Sequence, residues 1–290
     1  MKKSIRIGGA SGFWGDSVVA TPQLLNNNNL DFIVYDYLAE ITMSIMARAR
    51  AKDPNKGYAI DFVSSVLKLN LKQIADQKIK VLSNAGGVNP EACAQAIRDL
   101  IIEQKLDLKV AVVLGDDLMQ RKSEFTNLKE MYSKIDFPQE DKIASINVYL
   151  GAFPIAKALN DGADIVITGR SVDSAVTLAA CIYSFNWTEH DYNKLASGSL
   201  AGHIIECGTQ STGGNFTDWK LVSQNLYQIG YPIVDINENG EFDCSKSKDS
   251  TGLVSFGTVA EQMLYEIGDP QSYILPDVIC DFSKVKINEI

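Results

Sequence analysis

The chain has few of the residues that build metal centres and disulfide scaffolds. It contains two histidines and five cysteines in 290 residues. His190 and His203 show no H-E-x-x-H pattern, and no two cysteines form a C-x-x-C pair. A histidine-rich metal site, a thiolate zinc site and a disulfide scaffold are therefore disfavoured, and a reducing compartment is expected. We expect no metal, with carboxylate-held Mg²⁺ as the alternative left open.

Positive charge and long apolar runs are also scarce. The chain has 36 acidic and 27 basic residues and a formal net charge of −9, whereas nucleic-acid phosphates are bound through clustered Lys and Arg. No segment approaches the roughly 20 apolar residues of a membrane span, and no signal-peptide pattern is present. We expect a cytoplasmic homo-oligomer that binds a small-molecule substrate and neither nucleic acid nor a membrane.

What the sequence does contain, from its start to about residue 185, is one repeated pattern. A short apolar run is followed by a turn rich in Gly, Asn or Asp and then by a helical period, which is typical of parallel strands covered on both faces. We predict an α/β fold with a mostly parallel, Rossmann-like, doubly wound sheet; a closed eight-stranded barrel is the alternative. The runs are SIRIGGA, DFIVYDY, KIKVLSNA, KVAVVLGDD, ASINVYLGA and DIVITGR.

The helical and C-terminal patterns define the rest of the expected organisation. Residues 59–77 have a helical period, so two helices are expected after the second strand. Near the end, Asn239-Gly240 predicts a hairpin, residues 258–268 predict a short helix, and residues 273–290 alternate as strands do. We predict a core domain over residues 1–220 and a small α+β extension, packed on it, over residues 221–290.

The turn after the first strand is rich in glycine. Gly9, Gly12 and Gly15 have G-x-x-G-x-x-G spacing, and Asp36 ends the second strand. This arrangement partly resembles the Rossmann dinucleotide fingerprint. Trp14, however, stands where a small residue would let the helix approach. NAD is therefore the weaker candidate ligand, and a structural turn is the alternative.

Two other strand ends offer groups that could hold an anion. Gly86 and Gly87 would expose backbone N–H groups before a helix capped by Asn89, with Asn84 adding a polar side chain; a plain helix entry loop is the alternative.

Arg170 ends the last buried strand, where an unpaired guanidinium would be costly. It should meet Asp173, Asp116 or a substrate anion, and a structural ion pair is the alternative.

Residues 203–219 hold the best candidate for a reaction centre. His203 can exchange protons near neutral pH, and Glu206 is close enough in sequence to orient it or to act itself. Cys207 is a candidate nucleophile, although a structural thiol is favoured by the general tendency of cysteine to be buried. Gly213, Gly214 and Asn215 follow in the same segment.

Four phrases, IGGASGFWGDS, VLSNAGGVNP, GADIVITGR and GHIIECGTQSTGGNFTDW, together resemble the acyclic terpene utilisation AtuA-like family along nearly the whole chain. The resemblance implies a place in the degradation of citronellol and geraniol through branched acyl-CoA intermediates. Longer members continue into a small ferredoxin-like C-terminal domain, whereas this chain stops at KINEI. We therefore expect a short form, a fragment, or half of a split protein whose partner is a separately encoded small domain.

These observations predict an enzyme, of lyase or hydratase type, that acts on a branched carboxylate or its CoA thioester. An NAD(P)-dependent oxidoreductase and a non-catalytic partner subunit of an acyl-CoA enzyme are the alternatives. The cofactor is left open, with a CoA thioester entering as substrate. The catalytic candidates are His203, Glu206, Arg170, Asp173 and Cys207. The candidates for binding substrate or an anion are Gly9, Gly12, Trp14, Asp16, Asp36, Asn84, Gly86, Gly87, Asn89, Asp116, Gly213, Gly214 and Asn215.

Overall fold

The computed structural model describes residues 3–16, 18–26, 29–247 and 249–290. Its strands are β1 Ser4–Gly9, β2 Phe32–Tyr35, β3 Lys80–Ser83, β4 Val110–Val113, β5 Ile165–Thr168, β6 Pro232–Asn237, β7 Phe242–Lys246, β8 Tyr273–Ile274 and β9 Ile279–Cys280. Seven of them form one sheet in the order β4-β5-β3-β2-β1-β6-β7, while β8 and β9 form a separate small hairpin. β1 to β5 are parallel, and β6 and β7 are antiparallel additions at one edge.

The helices lie between these strands, as the sequence pattern predicts. They are α1 Ala20–Leu25, α2 Glu40–Lys52, α3 Lys68–Asp76, α4 Pro90–Glu103, α5 Phe153–Asn160, α6 Ala175–Phe185, α7 Tyr192–Ile205 and α8 Phe256–Leu264. A π-helical segment, Phe62–Leu67, leads directly into α3 and forms one continuous helical stretch with it. This stretch and α2 are the two helices expected after β2. In the described parts of the chain, no helix is long and apolar enough to cross a membrane.

Helices cover both faces of the sheet. Successive side chains of a strand point to opposite faces, and here they are apolar on both. On β5, Ile165 and Ile167 pack into the cluster with α1 to α4, whereas Val166 packs into the cluster with α5 to α8. On β3, Val81 and Leu82 divide in the same way. The prediction of a mostly parallel sheet between two helical layers is confirmed.

The order of the strands reverses between β4 and β5. The chain moves outward from β1 through β2 and β3 to β4, and β5 then returns to pair between β4 and β3. The helix after β3 packs on one face and the helices after β5 pack on the other. Adjacent turns therefore diverge at the carboxyl ends of β3 and β5, and sheets of this kind generally bind ligands at that edge.

One predicted strand, ASINVYLGA at residues 144–152, is wrong. The segment makes only isolated bridges, between Asp117 and Asn147 and between Leu150 and Ser171. It cannot join the sheet beside β5, because β4 and β3 already occupy both edges of that strand. Its apolar character has two other origins, since Leu150 and Ala152 pack into the core beside the sheet whereas Val148 and Tyr149 are exposed.

The C-terminal part adds to the same sheet. β6 pairs with β1, and the turn between β6 and β7 contains Gly240 at φ +95°, so the hairpin prediction is confirmed. The short helix is present as α8. The last segment forms only the two-residue strands β8 and β9 instead of longer ones. A division at residue 220 stays a prediction.

Two glycines allow the turn after β1 to lie against the end of α7. A Cβ on Gly9 would stand 2.2 Å from the backbone oxygen of Ile205, and a Cβ on Gly12 would stand 2.8 Å from the carbonyl carbon of Cys207. Real side chains never approach so closely, so both positions require glycine for packing. This contact brings the segment after α7 to the carboxyl edge of the sheet.

We expect Gly9→Ala to lower the free energy of unfolding by about 1–3 kcal/mol, the usual effect of overpacking a filled site. The matched control is Gly268→Ala, since nothing lies within 4 Å of a Cβ at that position. Urea unfolding of the two variants and the wild type measures the difference. Equal stability of the two variants would show that the close approach at Gly9 does not matter.

Candidate active site

A cavity of about 740 Å³ opens at the carboxyl edge of the sheet, beside the turns that follow β1, β2 and β5. Of the described residues that line it, five are acidic and only Arg170 is basic. A larger groove, of about 1080 Å³, lies beside β7, α8 and residues 285–290, but it contains none of the predicted site residues. The acidic residues of the smaller cavity are Asp16, Asp36, Glu40, Asp173 and Glu266.

Arg170 lines the cavity and is held in place by several contacts. Its Nη1 donates to the backbone oxygen of Leu38 and to Oδ1 of Asp173, both at 2.7 Å, and its guanidinium lies 4.3 Å from the ring centroid of Tyr149. The carboxylate of Asp116 accepts the backbone N–H of Arg170 at 2.8 Å. Of the two predicted acidic partners, Asp173 therefore meets the guanidinium, and Asp116 holds the main chain.

Asp36 is a buried acid at the end of β2. Burial raises the pKa of its carboxyl well above the usual range, and the charges of Asp173 and Glu206 raise it further. Asn84 donates from Nδ2 to Oδ1 of Asp36 and accepts the backbone N–H of Tyr37 at 2.8 Å. Asn84 thus orients Asp36 from behind instead of lining the cavity itself.

Asp173 is the acid best placed to exchange a proton with a ligand. Burial and the charge of Glu206 raise the pKa of its carboxyl to about 7, against the opposing effect of Arg170. Its side chain remains 31% exposed and lines the cavity. A carboxyl with this pKa can take up or release a proton at neutral pH.

His203 and Glu206 form a buried pair at the end of α7. The Nδ1 of His203 lies 2.7 Å from Oε1 of Glu206, while Nε2 is buried without a hydrogen bond. Burial lowers the pKa of His203, but the charge and hydrogen bond of Glu206 outweigh it and hold the pKa above the ordinary value. Neither residue lines the cavity, whose wall includes Tyr273, with its ring centroid 6.3 Å from that of His203.

Cys207 lines the cavity but is not an activated nucleophile. Burial raises the pKa of its thiol, and the charge of Glu206 raises it further. The reactive form of cysteine is the thiolate, which these surroundings disfavour at neutral pH. The structural interpretation of Cys207 is therefore favoured over the nucleophilic one.

Two glycine-rich turns complete the rim. Asp16 accepts the backbone N–H of Gly12 at 2.9 Å, and both residues line the cavity with Gly214 and Asn215. Gly213 has φ +106° and turns the chain there but does not line the cavity. The structure therefore brings the first turn and the segment after α7 to one opening.

The comparison with known families matches residues 5–290 to the acyclic terpene utilisation family protein AtuA. The chain belongs to this family. Its role therefore lies in acyclic terpene utilisation. No curated protein and no solved structure matches the chain.

In this AtuA-family chain, the turn after β3 does not form the anion receptor that the paired glycines suggest. The N–H groups of Gly87, Val88 and Asn89 donate to backbone oxygens of Asn84, Gly57 and Gly86, so none of the three is open to a ligand. A Cβ on Gly86 would stand 2.4 Å from the backbone oxygen of Thr168. Packing accounts for this turn, as in the helix-entry alternative.

Two other predicted site residues also serve the fold. Asn89 occupies the N-cap position of α4 without a capping hydrogen bond from its side chain, which instead donates to the backbone oxygens of Pro54 and Lys56. Trp14 donates from Nε1 to Oδ1 of Asp61 at 2.6 Å and does not line the cavity. Both contacts hold loops together near the carboxyl edge of the sheet.

The dinucleotide arrangement lacks two features that it requires. The close approach that Gly9 and Gly12 permit is used by the backbone of Ile205 and Cys207, not left for a pyrophosphate. The helix that follows, α1, begins only at Ala20 and has six residues. Within the described chain, no group of three or more His, Cys, Asp or Glu side chains could hold a metal ion.

Several residues of the cavity wall were not predicted. Tyr149 stacks on Arg170, and Glu40 accepts a hydrogen bond from the Tyr149 hydroxyl. Glu40 had a usable signal, because it closely follows the end of β2. Tyr265, Glu266 and Tyr273 had none, since they come from the C-terminal part, where no parallel strand ends.

We expect the stability of this chain to fall as pH rises from about 4 to about 7, relative to Asp173→Asn. The folded-state pKa of Asp173 is about 7, above the usual value, so over this range the folded state keeps a proton that the unfolded state has released. The difference should change by at most about 1.4 kcal/mol per pH unit. Urea unfolding at a series of pH values measures it.

The matched control is Asp191→Asn, a carboxyl of similar exposure (28%) whose pKa is held at about 2 by hydrogen bonds from Thr188. Above pH 5 the free energy of unfolding of this variant should change with pH as that of the wild type does. If Asp173→Asn also follows the wild-type pH dependence from pH 4 to 7, the raised pKa of Asp173 is refuted.

Proposed function

We propose that this chain is an acid–base enzyme of acyclic terpene catabolism, of lyase or hydratase type, acting on a branched acyl thioester. The single observation that carries the proposal is the meeting of Asp36, Asp173 and Arg170 on the wall of one cavity. Family membership supplies the pathway. The reaction type rests on the acids.

The two acids have environments suited to different tasks. Burial raises the pKa of Asp36 well above its usual range, which favours its protonated form and a role as the acid, whereas Asp173, with a pKa of about 7, can act as a base. Adding water to an unsaturated thioester needs this combination. The base takes a proton from water, the oxygen attacks the β-carbon, and the acid protonates the α-carbon; removal of water is the reverse.

The charge of the cavity favours a thioester over a free carboxylate. Five acidic residues and one arginine line it, so a carboxylate at the reacting end would meet several like charges. The carbonyl of a thioester is uncharged and can accept a hydrogen bond from Arg170 or from a protonated carboxyl. Cleavage of a carbon–carbon bond next to that carbonyl would use the same proton exchange.

The other two hypotheses receive less support. A nicotinamide reaction is disfavoured by the backbone packed against Gly9 and Gly12. A non-catalytic partner of an acyl-CoA enzyme would not need acids with raised pKa values beside a cavity. That second alternative is kept as an outcome of the experiment.

The experiment incubates the purified chain with branched acyl-CoA thioesters and, separately, with the corresponding free acids, and follows products by mass spectrometry. We expect thioesters to gain or lose the mass of one water, or to be cleaved into two fragments. Turnover of the free acids alone would overturn the substrate class. The absence of any product would overturn the enzymatic proposal and favour the hypothesis that the chain is a non-catalytic partner subunit.

Asp173→Asn should lower turnover by roughly 10²- to 10⁴-fold, the usual contribution of a general base. His203→Asn should lower it less, because His203 lies behind the cavity wall. Asp191→Asn, at the N-cap position of α7 and outside the cavity wall, serves as the control for changing one carboxyl to an amide. Steady-state kinetics measure all three, and circular dichroism checks that each variant is folded. A larger loss for His203→Asn than for Asp173→Asn would contradict the assignment.

A further inference from the structure

An excursion of the chain beyond β4, residues 118–146, makes no core of its own. Not one of its residues is buried, and its only regular elements are short 3-10 turns. Its two ends are joined, since the backbone N–H of Leu118 donates to the oxygen of Ile146 at 2.9 Å. We call residues 118–146 the arm. A connection of this length without buried residues is uncommon unless it has a function.

The arm nevertheless has a defined shape. Phe137 donates its backbone N–H to Leu128, Lys129 and Asp136 form both a backbone bridge and an ion pair at 3.0 Å, and the rings of Phe125 and Phe137 lie 6.4 Å apart. These contacts close a hairpin-like tip. A segment held in one conformation by so many local contacts presents a preformed surface.

The tip presents large apolar side chains to solvent. Met131, Tyr132 and Ile135 are 68%, 83% and 68% exposed, and Leu128 is 54% exposed. Exposed apolar groups gathered on one short segment are characteristic of a protein–protein contact. The neighbouring strand β4 adds an open edge, because in the described sheet it pairs on one side only, with β5.

Charge indicates which partner the arm fits. The arm carries five basic and five acidic residues, so it is neutral, whereas the whole chain has a net charge of −9. Two copies of the chain repel each other through their net negative charge, and the neutral arm adds nothing to that repulsion.

We propose that the arm is the contact through which two copies of this chain form a dimer, with the apolar tip of each copy buried against the other. A two-fold dimer uses the same surface on both copies and is the commonest symmetric assembly. The proposal is independent of the reaction catalysed.

The test measures molar mass by light scattering during size-exclusion chromatography, over a range of protein concentrations. The wild type should elute with twice the chain mass of 31.8 kDa. The double variant Met131→Asp, Ile135→Asp should elute with the mass of one chain, since two carboxylates per tip cannot be buried against two more. A monomeric wild type would overturn the proposal.

Two further variants keep the result unambiguous. Leu69→Asp, Ile102→Asp changes two apolar residues on α3 and α4 that are 76% and 73% exposed, and it should remain a dimer. Replacing residues 119–145 by a short Gly-Ser linker should give a folded monomer, because no buried residue is lost. A dimer that survives both arm variants, or that is lost only in the α3 and α4 variant, would show that the arm is not the contact.

Discussion

The site depends on one guanidinium set among several carboxyl groups. Arg170 joins the turn after β5 to the turn after β2 through its hydrogen bonds to Asp173 and to the backbone of Leu38. Its charge also opposes the effect of burial on Asp36 and Asp173. Without that charge both acids would bind their protons more tightly. The geometry of the cavity and its proton chemistry therefore have a common origin.

The fold could be predicted wherever local pattern and burial agree. The segment DIVITGR contains the unbroken apolar run IVI because β5 is buried on both faces and paired at both edges. ASINVYLGA has a similar pattern, yet it lies outside the sheet. What distinguishes the two is which edges of β5 are already occupied, and this depends on residues far away in the sequence. The same limit applies to β6, whose pairing with β1 no local pattern indicates.

The position of the candidate site could be inferred to the extent that it follows from the ends of parallel strands. Asp36, Arg170 and Asp173 were found by this rule, and the structure brings them to one cavity. Whether a backbone N–H group is open to a ligand cannot be read in this way. The N–H groups of Gly87 and Asn89 donate to oxygens of their own turn, and that of Val88 donates to Gly57 in another loop. Tyr149 and Tyr273 reach the cavity through tertiary packing alone.

The pairing of β1 with β6 has a consequence for synthesis of the chain. Arg6 and Asp235 are neighbours in the sheet and form an ion pair at 3.0 Å, yet 229 positions separate them in sequence. At ordinary rates of translation, roughly 10 to 50 s pass between the appearance of the first strand and that of its partner. Throughout this interval the nascent protein carries an unpaired, apolar strand edge. Aggregation during synthesis is therefore a hazard that the stability of the finished fold does not remove.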